Sequence, residues 1–269
     1  MADAKISANT DAAPLDGNEL IPCTDDPSGT PVDGYFTPAD LATYLGSGTV
    51  ITGLGLQWDA TDGITVKTGQ CYTESGDNIS ASSAIAKASL SLSSSTWYHV
   101  YVYLSGGSPA AEVVTTAPTA WTGTAYSKTG DTSRRYVGSI RTDGSGNIYN
   151  FIHIGNEVQY QVAINASPFR VASNQKATSE TAVDCSSIAP VTSKRIWAKV
   201  ANVDGSISCY LGNSLASVAP PGDGLFILAA GLNLAISLPV DTSQEFTYAY
   251  PSTPTTGFYA DVFGYYFDR

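Results

Sequence analysis

The chain has 269 residues, a formal net charge of −11 and a charged fraction of only 14%, against roughly 25% in an average soluble domain. With 13 Lys and Arg residues against 24 Asp and Glu residues, no basic face is expected that could neutralise nucleic-acid phosphates. No apolar run of about 18 residues occurs, so we expect no transmembrane helix and no membrane insertion. The aromatic fraction of 10% argues against a chain that is disordered throughout.

Residues 1–50 are the most acidic part of the chain, because eight acids and a single base, Lys5, give them a net charge of −7. Two interpretations are open: a solvated acidic tail, or a segment that docks on a more basic partner. Thr37 as N-cap, Pro38 at the first helical position and Gly46 as the stop predict a short helix. Docking is favoured by recurrent apolar residues, namely Ile6, Leu15, Leu20, Ile21, Tyr35, Phe36 and Leu41.

From about residue 50 onward, the apolar residues have a period of two, which predicts β-strands. Asp62-Gly63 predicts a hairpin turn. The clearest strand is 97–104, and its alternation predicts one buried face and one solvent-exposed face. The buried face would carry Tyr98, Val100, Val102 and Leu104, and the exposed face Trp97, His99, Tyr101 and Tyr103.

Further strands are predicted toward the C-terminus, at 159–165, 196–203, 206–211, 225–228, 232–238 and 246–250. The closing stretch 258–267 alternates poorly and is interpreted as packing in a core or an oligomer interface. We therefore predict a mainly β fold, with a short N-terminal anchor holding a small helix (residues 1–48). Two antiparallel β-sandwich or jelly-roll-like units would follow, at residues 49–156 and 157–269.

No set of residues with catalytic spacing stands out. His99 and His153 are the only histidines, both in strand-like segments, and no G-x-S-x-G turn is present to carry a nucleophile. No pair of carboxylates is selected by its spacing, and metal-ligand and phosphate-binding motifs are absent. Cys23, Cys71, Cys185 and Cys209 are interpreted as unpaired thiols, although Cys185 and Cys209 could form a disulfide. We expect no enzymatic activity, no cofactor and no metal.

The surplus of aromatic residues is the remaining chemical feature. Tryptophan and tyrosine rings can stack on the weakly apolar C–H faces of sugars, and they also fill sheet faces and subunit interfaces. The sequence alone does not decide between these uses, and it identifies no glycan contact. The tryptophans concerned are Trp58, Trp97, Trp121 and Trp197.

The N-terminal segment resembles the opening of bacteriophage fibre and tail-associated proteins. The similarity is carried by KISA at 5–8, APLDGNELIP at 13–22 and TPADL at 37–41. Family members typically read KISALP, LTGTELIP and TVADL, and 23–27 departs from their short Val-rich run. Residues 97–103 and 129–148 also resemble phage fibre domains, and 238–266 resembles their C-terminal sandwiches more weakly. The resemblance implies a virion-attachment module and supplies no catalytic residues.

The expected function is that of a virion structural protein, a tail or head fibre or spike. Its N-terminus would dock on tail, collar or capsid proteins through the seven apolar residues named above, and its C-terminal unit would form a tip that contacts host-surface glycan. The resemblance also implies a homotrimer. No secretory signal is apparent, so synthesis in the host cytoplasm is expected. Two alternatives stay open: a soluble carbohydrate-binding module and a capsule depolymerase.

Overall fold

The structure, a computed structural model, describes residues 21–25, 32–36, 50–213 and 224–269. Every helix or strand in these ranges is a β-strand, which confirms the mainly β prediction. The small helix predicted to begin at Thr37 lies outside the described residues. The chain divides into two compact units, Met1–Ser47 and Gly48–Arg269. In the first unit, β1 (Ile21–Asp25) and β2 (Val32–Phe36) pair antiparallel, with Ile21 opposite Phe36.

The described residues of the second unit form twenty-one strands, β3 to β23. Its first eleven are β3 (Ile51–Gly53), β4 (Leu56–Ala60), β5 (Gly63–Val66), β6 (Gly69–Tyr72), β7 (Asn78–Ala81), β8 (Ile85–Lys87), β9 (Trp97–Ser105), β10 (Ser108–Val114), β11 (Pro118–Thr122), β12 (Ala125–Lys128) and β13 (Asp131–Arg141). The other ten are β14 (Phe151–Ile154), β15 (Glu157–Tyr160), β16 (Arg170–Gln175), β17 (Thr181–Asp184), β18 (Ser193–Asn202), β19 (Cys209–Gly212), β20 (Phe226–Leu228), β21 (Asn233–Pro239), β22 (Glu245–Ala249) and β23 (Phe258–Phe267).

These strands form five antiparallel sheets. Two have three strands each, in the orders β3-β6-β7 and β4-β5-β8, and a third has five, in the order β10-β9-β13-β12-β11. The six-stranded sheet has the order β14-β15-β23-β18-β21, and β16 lies beside β15 on the same edge of β23. The last sheet has the order β17-β22-β19-β20. The Asp62-Gly63 turn joins β4 to β5 as predicted.

The six-stranded and four-stranded sheets face each other across an aromatic interior. The ring of Tyr248 on β22 stacks on that of Phe258 on β23, with their centroids 5.4 Å apart. The Tyr250 hydroxyl donates a hydrogen bond of 2.9 Å to the side-chain oxygen of Asn202, at the end of β18. The two sheets therefore pack as the layers of a sandwich, and one face of the six-stranded sheet points away from this interior.

The five-stranded sheet continues the same interior. The Tyr265 hydroxyl of β23 donates to the backbone oxygen of Ser139 on β13, at 3.2 Å. The predicted boundary between residues 156 and 157 lies in the turn between β14 and β15, which pair with each other. Buried side chains on both sides of this point belong to one hydrophobic cluster, within the single compact unit Gly48–Arg269.

The prediction of a solvent-exposed face on the strand from Trp97 is wrong. β9 lies second in its sheet, and His99 and Tyr101 are buried together with Tyr98, Val100 and Val102. The aromatic face was expected to be exposed because histidine and tyrosine carry polar atoms. Here those atoms find partners inside, since His99 Nδ1 lies 2.8 Å from the Ser139 hydroxyl and the Tyr101 hydroxyl donates to the Thr116 backbone oxygen.

A β-bulge explains the poor alternation of the closing strand. Trp197 of β18 lies opposite Gly264, but the next residue, Ala198, lies opposite Val262, so Phe263 is an extra residue in β23. A single extra residue reverses which side chains face the interior. Even-numbered residues of β23 face the interior before the bulge, and odd-numbered residues face it after the bulge. The prediction of core packing holds for Phe258, Tyr265 and Phe267, which are fully buried, and fails for Tyr266, which is 41% exposed.

Candidate functional site

A groove lies on the outer face of the six-stranded sheet, the face that points away from the four-stranded sheet. On β18, residues alternate between the buried interior and this outer face, and Lys199 and Ala201 point outward. In register, Lys199 lies opposite Asp261 and Ala201 opposite Tyr259, so all four share the face. The groove encloses about 260 Å³ and is lined by Arg170, Lys199, Ala201, Val203, Asn233, Tyr259 and Asp261.

A small side chain creates the depression. Ala201 lies between Tyr259 on one neighbouring strand and Asn233 on the other. Its methyl group leaves the middle of the sheet low, while the longer side chains of Tyr259 and Asn233 stand on either side. The result is an open groove with a flat aromatic ring on one wall and an amide on the other.

An ion pair fixes one end of the groove. Arg170 Nε lies 2.7 Å from Asp261 Oδ1 and Nη2 lies 3.0 Å from Oδ2, which is a bidentate arrangement. The hydrogen bond to Asp261 raises the pKa of Arg170. The Asp261 side chain is only 9% exposed and that of Arg170 32%, so the arginine screens the carboxylate from water.

The same arginine also lies beside the aromatic wall. Arg170 Cζ is 5.5 Å from the centroid of the Tyr259 ring, within the range of a cation–π contact. Tyr259 is half-buried, so part of its ring remains open to solvent. Arg170 thus orients both the carboxylate and the ring, and this leaves the groove pre-organised before any ligand arrives.

Two polar side chains of the groove remain available to a ligand. Lys199 and Asn233 are exposed, and neither side chain makes a hydrogen bond or ion pair within the described residues. An ammonium donates three hydrogen bonds, and an amide both donates and accepts. Combined with a half-open aromatic ring, these groups match a ligand that has hydroxyl groups and weakly apolar C–H faces.

A larger cleft of about 420 Å³ is less suited to binding. It is lined by Tyr126, Val191, Ser193, Lys194, Val240, Asp241 and Thr242. Its two charged groups already serve the fold: Asp241 accepts backbone hydrogen bonds from Ser243 and Glu245, and Lys194 Nζ lies 3.6 Å from an Asp268 carboxylate oxygen. The Tyr126 ring packs edge-on against Tyr136. Few groups are therefore left to contact a ligand.

The tryptophans singled out from the sequence do not line the groove. Trp58 and Trp97 donate their indole N–H groups to the backbone oxygens of Ile148 and Ser186. Trp121 lies near the buried Arg135, whose Cζ is 5.7 Å from its ring centroid. Trp197 is on the outer face of β18, two residues before Lys199, but outside the groove.

The predicted docking residues fall in the first unit. Ile21 begins β1, and Tyr35 and Phe36 end β2, where Pro22 lies opposite Tyr35 and Ile21 opposite Phe36. Ile6, Leu15, Leu20 and Leu41 lie outside the described residues. The structure thus brings three of the seven to one end of a hairpin.

Both histidines and the three cysteines of the second unit are buried away from the groove. Burial lowers the pKa of His99 to about 4 and that of His153 to about 3. Burial also raises the pKa of Cys71 to about 11 and that of Cys209 to about 12, so these groups are thiols at neutral pH. Cys71, Cys185 and Cys209 are all unpaired, and Cys185 and Cys209 form no disulfide. Within the described residues, no cluster of three metal-ligating side chains occurs.

Sequence reasoning did not single out the residues of the groove. Tyr259 was assigned to a core or an interface, and Arg170, Lys199, Asn233 and Asp261 were not considered. The alternation along β18 was a usable signal for Lys199 and Ala201. No local signal joins Arg170 to Asp261, which are 91 positions apart.

Comparison with known proteins adds no family assignment. No protein-family model matches the chain, and no curated protein matches it. Among the described residues, no helix is long and apolar enough to cross a membrane.

Proposed function

We propose that the protein is a structural component of a bacteriophage particle, a tail or head fibre or spike, that attaches to glycan on the host surface through the groove. The first 45 residues and the segments 97–103 and 129–148 support the virion assignment through their resemblance to fibre proteins. Neither a catalytic set nor a cofactor forms part of this proposal.

The observation that carries the glycan assignment is the composition of the groove. A half-open tyrosine ring, an arginine-bound carboxylate, a lysine and an amide line one shallow depression. Sugars present flat C–H faces that pack on aromatic rings and hydroxyl groups that need both donors and acceptors. An open groove on a sheet face is also accessible to a long polysaccharide chain, which a closed pocket would exclude.

Binding to host glycans tests this proposal directly. The intact protein is applied to a panel of surface glycans from the host, and affinities are compared with those of two tyrosine variants. Tyr259→Ala removes the aromatic wall and should weaken binding by about tenfold, equivalent to about 1.4 kcal/mol. Tyr266→Ala is the matched control, because Tyr266 is on the same strand, 41% exposed and outside the groove.

The control should bind as the unaltered protein does. Equal affinities for the two variants would remove the groove from the proposal, and a panel without any bound glycan would contradict glycan attachment. Sustained release of reducing ends from host capsule would instead favour the depolymerase alternative.

Docking on the particle is the second part of the proposal. The acidic N-terminal segment would meet tail, collar or capsid proteins through Ile6, Leu15, Leu20, Ile21, Tyr35, Phe36 and Leu41. A chain lacking residues 1–46 should fail to enter particles, as measured by mass spectrometry of purified virions. Incorporation of the truncated chain would contradict the docking role. Absence of the full chain from virions would favour the soluble carbohydrate-binding alternative.

We also propose a homotrimer in which copies of the chain meet at the edge strand β20. Within the described strands β20 pairs only with β19, and its Ile227 is 57% exposed beside Leu225 and Phe226. Exposed apolar side chains of three copies can pack around a threefold axis, which removes them from water. Ile227→Lys should reduce the mass in solution to that of a monomer. Ser145→Lys, at an exposed position in the turn after β13, adds the same charge away from any exposed apolar strand edge, and as the control it should leave the mass unchanged.

A further inference from the structure

We propose that the groove selects anionic saccharides and that Lys199 is the residue that selects them. This inference rests on the proposed glycan-binding function and specifies the class of glycan. The anionic group is a carboxylate or a phosphate, since an ammonium is a point charge that accepts either.

The charges within the groove leave one cation without a partner. Arg170 and Asp261 neutralise each other through their bidentate contact. Lys199 is the third charged residue of the lining, and no carboxylate of the described residues lies within 4 Å of its Nζ. The groove therefore has a local charge near +1 on a chain whose net charge is −11.

The neighbours of Lys199 leave its ammonium accessible. On β21 it lies opposite Ala235, whose methyl group cannot cover it. On β23 it lies opposite Asp261, whose two carboxylate oxygens are already bound by Arg170. The side chain is exposed, so the ammonium can turn toward a ligand that lies on the Tyr259 ring.

Because the rest of the chain is acidic, Lys199 is expected to attract an anionic ligand only at short range. A chain with a net charge of −11 repels anionic polymers at long range, and salt screens that repulsion beyond about 8 to 10 Å. A contact with Lys199 acts within hydrogen-bond distance, where screening is weak. Arg195 is also exposed on this face of β18, but it is outside the groove and does not lie beside the Tyr259 ring. An anionic saccharide should therefore be recognised where Lys199 and Tyr259 contact it together.

Three probes test the selectivity: a tetrasaccharide containing uronic acid, its carboxyl-reduced neutral form, and a tetrasaccharide bearing phosphate. Calorimetry with the intact protein should show about tenfold tighter binding of the uronic acid probe than of the reduced probe. Lys199→Gln should abolish this preference, because glutamine carries no charge, so its affinities for the charged and reduced probes should become equal. Lys67→Gln removes an exposed lysine outside the groove, changes the net charge equally and should keep the preference.

The outcomes separate this inference from the proposed function. Equal binding of the charged and reduced probes, with loss of both in Tyr259→Ala, would overturn the inference and leave the glycan site standing. Failure of all three probes together with the host panel would contradict both. Tight binding of the phosphate probe alone, lost in Lys199→Gln, would support the inference and assign the anion as phosphate.

Discussion

Two tyrosines of the same chain, Tyr136 and Tyr259, have opposite surroundings. Tyr136 on β13 is fully buried, its hydroxyl bonds to Ser139 and Thr192, and the Tyr101, Tyr126 and Phe267 rings lie within 6.2 Å of its own. Tyr259 on β23 is half-buried and lies beside an arginine at the wall of an open groove. The aromatic residues of this chain therefore occupy two kinds of environment, a closed interior and the wall of an open groove.

The largest expected effect on stability comes from removing the buried ring of Tyr136. Tyr136→Ala should lower the free energy of unfolding by about 3–5 kcal/mol, because it leaves a cavity among the three surrounding rings and deprives Ser139 and Thr192 of a partner. Tyr259→Ala should cost under about 1 kcal/mol, since its ring is partly solvated. Urea unfolding of both variants measures the difference. Similar losses for the two would mean that the groove is part of the core.

More of the buried interior than of the groove could be predicted from the sequence. The period-two pattern that predicts a strand at 196–203 is local, and in β18 it places Ile196, Ala198 and Val200 on the buried face. The exposed face expected for β9 was wrong, because Tyr101 and His99 find hydrogen-bond partners contributed by other segments.

The groove depends on long-range pairing. Arg170 reaches Asp261 only because β16 and β23 pair across 91 positions of sequence. The bulge at Phe263 further reverses the parity of β23 between Tyr259 and Tyr265, so one is outside and the other inside. Neither the pairing nor the bulge has a local signature, and the resemblance to phage fibre proteins assigned no residues to this face.

The second prediction concerns Gly264, where the backbones of β23 and β15 approach each other closely. A Cβ at Gly264 would lie 2.5 Å from the backbone oxygen of Val158, which is too close without a shift of the strands. Gly264→Ala should therefore lower the free energy of unfolding by about 1–3 kcal/mol. Gly205→Ala is the control, because the space around Gly205 is open and little change is expected. Thermal unfolding distinguishes the two, and equal stability would show that β15 can move away from β23.

The third prediction concerns the loss of stability at low pH that is caused by the buried His153. His153 Nδ1 accepts a hydrogen bond of 2.8 Å from the Leu56 backbone N–H, so protonation at this nitrogen would break the contact. Burial lowers the pKa of His153 from 6.5 to about 3, so the unfolded chain binds a proton more readily than the folded one. Stability from this group is complete above about pH 6.5 and is lost as the pH falls toward 3, by about 2 kcal/mol at roughly pH 5.

The His153→Gln variant isolates this contribution. Glutamine does not titrate, so the difference in unfolding free energy between the unaltered protein and the variant should shrink as the pH falls from about 7 to about 4.5. Urea titrations at several pH values measure it. A difference that stays constant over this range would mean that His153 does not stay neutral in the folded chain. Glycan binding at neutral pH should be unaffected, because His153 does not line the groove.

The smallest effect tests whether the groove is a binding surface or a further piece of core. A double-mutant cycle with Tyr259→Ala and Arg170→Gln should give a coupling energy of about 0.5–1 kcal/mol, as expected for a partly solvated cation–π contact. In Tyr259→Ala the loss of glycan affinity should exceed the loss of stability, because the half-buried ring lines the groove and contributes more to the bound state than to folding. A coupling above about 2 kcal/mol would place Tyr259 with the interior rings. Arg170 would then serve the fold first, since a contact of that strength is found only where water is excluded from both partners.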